Sequence, residues 1–223
     1  MSTYLIINIL IIFFPLILSF DKNLTYYKKI PKLIFSILIV STAYIIWDSI
    51  ATKRGDWAFS PEHLIGIYFF GLPIEEILFF ITVPYSCVFI YETVKFYVKG
   101  KEFRLNKNFF LGAALLLLII AIVFNYQHYT FTVTIFTAIF FIITIFIKPQ
   151  LLNSYHYWLT MLISFVPFLI VNYFLTSIPV VTYNDAAFFG KRFITIPLED
   201  FLYSFSMISL WILFYEIALS RRK

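Results

Sequence analysis

The chain alternates between long apolar runs and short polar breaks. Seven runs approach the ~20 residues that a bilayer-spanning helix needs. They cover roughly 4–20, 33–50, 74–94, 109–124, 130–147, 158–175 and 198–219. The breaks carry the charges expected between helices: Asp21 to Lys32, Lys95 to Asn108 and Lys148 to Tyr157. No stretch reads as a soluble domain or a flexible linker. The first run follows an uncharged Met-Ser-Thr and lacks a small-x-small cleavage site. It is therefore expected to stay as a helix and not to be removed as a signal peptide.

Composition sharpens this picture. Of 223 residues, 61% are hydrophobic, 22% aromatic and only 13% charged, with a mean hydropathy of +0.89. Soluble domains carry about 25% charged residues, so a soluble enzyme, a disordered chain and a nucleic-acid binder are all excluded. The single cysteine, Cys87, sits in an apolar run and supports neither a disulfide framework nor a thiolate cluster. His63, His128 and His156 fall in separate breaks without a partner at helical spacing, so no metal site is expected. The glycines never take a GxGxxG or Walker spacing, which removes a dinucleotide site.

Charge predicts orientation. Thirteen Lys and Arg residues fall on the side shared by the breaks after spans 1, 3 and 5 and the C-terminus; only Lys53, Arg54, Lys191 and Arg192 fall on the other. The basic side of a membrane protein faces the cytoplasm. The expectation is a multi-pass protein of the cell membrane, N-terminus outside and C-terminus cytoplasmic. The acids run the opposite way: Asp48, Asp56, Glu62, Glu75, Glu76, Asp185, Glu199 and Asp200 lie toward the outer side.

Sliding the chain on itself by 124 positions aligns Gly66 with Gly190, Phe69 with Phe193, Pro73 with Pro197, Glu75 with Glu199 and Leu78 with Leu202. Tyr91-Glu92 meets Tyr215-Glu216, making seven identities in the 27 positions from 66 to 92. Gly, Pro and Glu are scarce here, so their coincidence points to duplication. Three spans finish on the face opposite their start, so a second parallel copy needs one extra span. The expected fold is an all-α membrane protein of seven transmembrane helices, two parallel three-helix repeats plus a linking helix (3+1+3). The boundaries fall at 1–107, 108–128 and 129–223.

The repeated acids carry the candidate chemistry. Gly71-Leu72-Pro73-Ile74-Glu75-Glu76 is echoed by Ile196-Pro197-Leu198-Glu199-Asp200. Proline and acids at a helix start also serve as plain capping. Yet the preceding segment, His63 to Leu72, is itself apolar, which sets the acids below the surface, where ionisable groups are costly and functional by default. Asp48 and Asn172 close spans 2 and 6 at equivalent places, suited equally to orienting neighbours and to catalysis. Trp57 and Phe59 fit interfacial aromatics. Glu92 and Glu216 lie 17 residues past Glu75 and Glu199, about 25 Å along a helix. They read as structural interhelical groups.

Asp48, the run Arg54-Gly55-Asp56-Trp57-Ala58-Phe59, Gly66 and Leu72 to Phe80 resemble the first half of the membrane-integral lycopene cyclases. Gly190-Lys191-Arg192, Ile196 to Tyr203 and Tyr215-Glu216 resemble the second. The family occurs as two small subunits or as fused chains with an added joining helix. The resemblance implies lycopene β-cyclisation, without net redox change and without cofactor. It implies Glu75, Glu76, Glu199 and Asp200 as acid–base groups, with Asp48 and Asn172 in support. Trp57, Phe79, Phe80 and Tyr203 would offer aromatic faces to a carbocation. The implied partners are lycopene or a related linear carotenoid, membrane lipid and other carotenoid-pathway enzymes, with no nucleic acid and no metal. A small 3+1+3 transporter is the alternative. A retinal protein is excluded, since span 7 has no lysine.

Overall fold

A computed structural model describes residues 2–100 and 103–221; Met1, Lys101, Arg222 and Lys223, used above, lie outside the described residues. The helices are α1 (Thr3–Leu18), α2 (Ile30–Arg54), α3 (Ile74–Tyr97), α4 (Lys107–Val123), α5 (His128–Ile147), the short α6 (Pro149–Leu152), α7 (Tyr155–Ser177) and α8 (Leu198–Ser220). A 3-10 turn, Tyr26–Lys29, runs directly into α2. Among the described residues, five helices are long and apolar enough to cross a membrane: α2 with its leading turn, α3, α5, α7 and α8. The first and fourth expected spans are shorter. α1 has 16 residues and α4 has 17, about 24–26 Å of helix against a hydrocarbon core of about 30 Å. Both still turn large apolar side chains outward, such as Leu10, Phe14, Phe109 and Ile122.

α1 packs on α3, α2 on both α3 and α8, α5 on α4 and α8, and α3 on α7. Many of the fully buried side chains within this bundle are aromatic, among them Tyr44, Phe80, Phe140 and Trp211. Buried hydroxyls tie the helices together: Ser36 donates to the Trp211 carbonyl at 2.7 Å and Ser41 to the Phe80 carbonyl at 2.8 Å.

The ends of α2, α3, α7 and α8 nearest the acid motifs are joined by short ribbons. α2 stops at Gly55, whose φ of +82° closes the helix in the left-handed region that glycine reaches freely. The chain then enters β1 (Trp57–Phe59), which pairs antiparallel with β4 (Val181–Tyr183), with Trp57 opposite Tyr183 and Phe59 opposite Val181. Two hairpins lead into the acid helices. β2 (Tyr68–Phe69) pairs with β3 (Leu72–Pro73), and β5 (Arg192–Phe193) with β6 (Ile196–Pro197). Phe70 and Ile194 hold φ of +55° and +58° in the two tips. Pro73 and Pro197 then precede the first residues of α3 and α8.

Candidate active site

The ribbons roof a small cavity at the start of α3 and α8, about 60 Å³ in volume. Asp48 from α2, Glu76 from α3 and Asp200 from α8 all face it, and Asn172 from α7 closes one side. The three carboxylic residues are 3%, 7% and 3% exposed, so aromatic walls and hydrogen-bond donors surround them in place of solvent. Trp57, Phe79 and Tyr203 line the cavity, joined by Tyr4, Phe59, Tyr129 and Tyr183.

Each carboxyl is held by donors from a different element. Tyr4 on α1 donates to Glu76 Oε2. The Trp57 indole N–H donates to Asp48 Oδ1 at 2.6 Å. Tyr129 on α5 and Tyr183 on β4 donate to the two oxygens of Asp200, at 2.6 and 3.0 Å. Burial, followed by the charge of Asp200, pushes the Tyr183 phenol well above its usual range, so it stays protonated and donates. The β1–β4 register brings Trp57 and Tyr183 opposite each other, which sets one donor on Asp48 and one on Asp200 from a single ribbon. Asp48 keeps one buried oxygen, Oδ2, without a hydrogen-bond partner.

The other expected acids take a different place. Glu75 and Glu199 are buried but do not line the cavity. Successive helix residues point about 100° apart, so Glu75 and Glu76 cannot both face one small space. Glu75 accepts from the Ile65 backbone N–H at 2.6 Å, and Glu199 from the Phe189 N–H at 2.7 Å and the Thr130 hydroxyl at 2.6 Å. Each thus anchors the loop ten residues before it. Phe80 is also turned away, fully buried beside Tyr44 at a centroid distance of 6.4 Å.

Tyr4, Tyr129 and Tyr183 were not legible as site residues. Tyr4 and Tyr129 open α1 and α5 and are 125 positions apart, one off the repeat offset, so an alignment allowing a one-residue gap finds the pair. Tyr183 stands 124 positions after Phe59, an aromatic pair at the offset itself. The Tyr-Glu pairs behave as expected for interhelical groups: Tyr91 donates to Glu216 at 3.0 Å and Tyr215 to Glu92 at 2.9 Å, each across α3 and α8. Lys29 and Lys95 add ion pairs to Glu92 and Glu216.

Behind the cavity, sharing Phe79, Asn172 and Tyr203 with it, runs an apolar groove of about 380 Å³ between α1, α3, α7 and α8. Acids, aromatic faces and a hydrocarbon-lined approach thus meet in one place. Among the described residues, no group of His, Cys, Asp and Glu is arranged to hold a metal ion.

Two curated fungal proteins share a 57-residue stretch with the chain, each named a bifunctional lycopene cyclase/phytoene synthase. The one from Neurospora crassa is 32% identical over 26% of this chain. The one from Podospora anserina is 35% identical over 25% of this chain. The match spans about a tenth of each relative's length. No solved structure matches. The family model described as Lycopene cyclase matches residues 1–94 and 126–218. Those two segments make up more than four-fifths of the sequence and include every residue lining the acid cavity, so the chain belongs to the lycopene cyclase family.

Proposed function

We propose that this protein cyclises the end groups of a linear carotenoid such as lycopene, forming β-type rings by acid–base chemistry without net redox change. The observation carrying this reading is the convergence of Asp48, Glu76 and Asp200 on one aromatic-walled cavity that shares Phe79, Asn172 and Tyr203 with an apolar groove. Two carboxyl groups in a shared apolar space hold one proton between them more readily than both ionise. The Asp48–Glu76 pair is the proton donor in this scheme. It protonates the terminal double bond of the linear end group, leaving a tertiary carbocation. The neighbouring alkene attacks the cationic carbon and closes the six-membered ring. Asp200, fixed by two phenolic donors, accepts the proton that leaves the ring carbon beside the new cation. One proton enters and one leaves, so the product is an isomer. The faces of Trp57, Phe59, Phe79 and Tyr203 stabilise the cation, each by about 0.5–2 kcal/mol. Glu75 and Glu199 position the loops that roof the site.

The same reading keeps the duplication: a first repeat at 1–107, a linking helix at 108–128 and a second repeat at 129–223. Its support is the matching hairpins ahead of α3 and α8 and the family match in two segments of similar length. A multi-pass placement in the cell membrane, N-terminus outside, follows from the charge asymmetry. The fungal relatives' names pair a cyclase with a phytoene synthase, which supports carotenoid-pathway enzymes as neighbours.

The test is direct. Expression in lycopene-making cells is expected to turn red pigment orange-yellow, which a transporter would not do. Purified protein in lipid, with no nicotinamide or flavin added, should then convert lycopene in D2O and place one deuteron on each new ring. Linear lycopene recovered unchanged, or rings free of deuterium, would overturn the reading.

A further inference from the structure

The groove behind the acid cavity is open on one flank of the molecule and shut on the other. Its inner wall is made by α3 and α8, through Val83, Met207 and Ile208, and its rims by α1 and α7. At the mouth, Leu10 on α1 and Ile170 on α7 are 66% and 54% exposed, facing outward from the bundle. The inner end meets the acid cavity at Phe79, Asn172 and Tyr203. The corresponding flank, between α2 and α5, is filled. Phe136 of α5 lies 4.8 Å from both Tyr44 and Trp47 of α2, ring centroid to centroid, and Phe80 stands next to Tyr44. The 124-residue offset sets Ser204 against Phe80 and Val171 against Trp47. At these two positions the open flank carries a smaller residue than the filled one, while Phe168 stands against Tyr44 at the same offset and also lines the groove.

We propose that the groove between α1 and α7 is the side entrance for the substrate and holds its polyene arm while one end group occupies the acid cavity, so that the two ends of one molecule are cyclised in separate binding events. This rests on the cyclase reading and extends it to the route and order of the reaction. An apolar arm entering from lipid meets mostly apolar walls as far as Phe79, Asn172 and Tyr203, which also line the acid cavity, so its transfer costs little. The arm is conjugated and too stiff to fold back, and among the described residues the filled α2–α5 flank gives the second end no matching approach. The second ring requires release, reversal and re-entry.

Two measurements on the full chain in lipid vesicles test this. The first uses a linear isoprenoid with the same end group and a mid-chain diazirine. Irradiation should place adducts on α1 and α7, within 7–15 and 164–174; adducts confined to α2 and α5 would overturn the proposal. Ser204→Phe should lower adduct yield and lycopene turnover at least tenfold, and a folded variant with wild-type adduct yield would count against the groove. The second is a pulse of isotopically labelled lycopene followed by excess unlabelled lycopene. Label should remain in the one-ring product after the chase, whereas labelled lycopene passing straight to a two-ring product would overturn separate binding. A wild-type protein that gives groove adducts yet leaves lycopene linear upholds the groove and overturns the cyclase reading instead.

Discussion

At the scale of the residue, one step along a helix divides the two carboxyls of each acid pair into different tasks. Glu76 and Asp200 face the cavity with phenolic donors attached, while Glu75 and Glu199 turn back to hold Ile65 and Phe189. The two pairs should respond to substitution in opposite ways. Glu76→Gln and Asp200→Asn remove a carboxyl from the reacting space and are expected to lower cyclisation by about 100- to 10,000-fold. Glu75→Gln and Glu199→Gln keep an oxygen that accepts the same backbone N–H, so turnover should stay within about fivefold of wild type, since a retained hydrogen bond costs at most about 1 kcal/mol. Chromatography of pigments at matched protein levels separates these outcomes; equal losses at all four positions would contradict the division. The sequence marked the four acids through their repetition. It could not distinguish within a pair, because spacing along a chain says nothing about which direction of a helix faces a cavity until the neighbouring helices are in place.

At the scale of the element, α3 and α8 are joined at their far ends by a reciprocal clasp. Tyr91 of α3 reaches Glu216 of α8, and Tyr215 of α8 reaches Glu92 of α3. The clasp is distant from the acids, so its contribution is to hold the two helices at a set angle and depth. Interhelical hydrogen bonds in membrane proteins contribute about 0.6–2 kcal/mol each. Tyr91→Phe and Tyr215→Phe are each expected to lower stability by about 1 kcal/mol, measured by thermal unfolding in detergent, with the folded variants still converting lycopene. A loss of turnover in stable, folded protein would place the clasp closer to the chemistry than its geometry does. The 124-residue offset in the sequence already aligns these residues, and their interhelical use follows because a polar group buried at this depth needs a partner. The crossed pairing is a matter of how the helices meet.

At the scale of the whole molecule, charge and hydropathy act together. Lys29, Lys95 and Lys148 gather with Glu92 and Glu216 at one end, and Arg54, Asp56, Asp185 and Arg192 pair at the ribbon end. The basic excess at the first end is expected to face the cytoplasm. A thiol introduced by Asn106→Cys should react with a membrane-impermeant reagent only in inside-out vesicles. Reaction from the outer side would reverse the topology. On the seven-span reading, α1 and α4, at about 24–26 Å, are shorter than the hydrocarbon core, and the bilayer would thin or flanking side chains extend around them.

What the sequence by itself determined is whatever depends on order along the chain. Apolar run lengths set which segments are helical and outward-facing. The recurrence of Gly, Pro and Glu at one offset marked two segments as candidates for the site, and the Lys and Arg distribution set an expected orientation. The tertiary structure alone decided the direction of each side chain and the partner it meets. Three tyrosines, Tyr4, Tyr129 and Tyr183, became carboxyl ligands because α1, α5 and the β1–β4 ribbon converge on one cavity. The chain holds 16 tyrosines, and in an apolar sequence each is an equally good core residue. Only the convergence of separate elements gives three of them a carboxyl to meet, because hydrogen bonds act over about 3 Å whatever the distance along the chain.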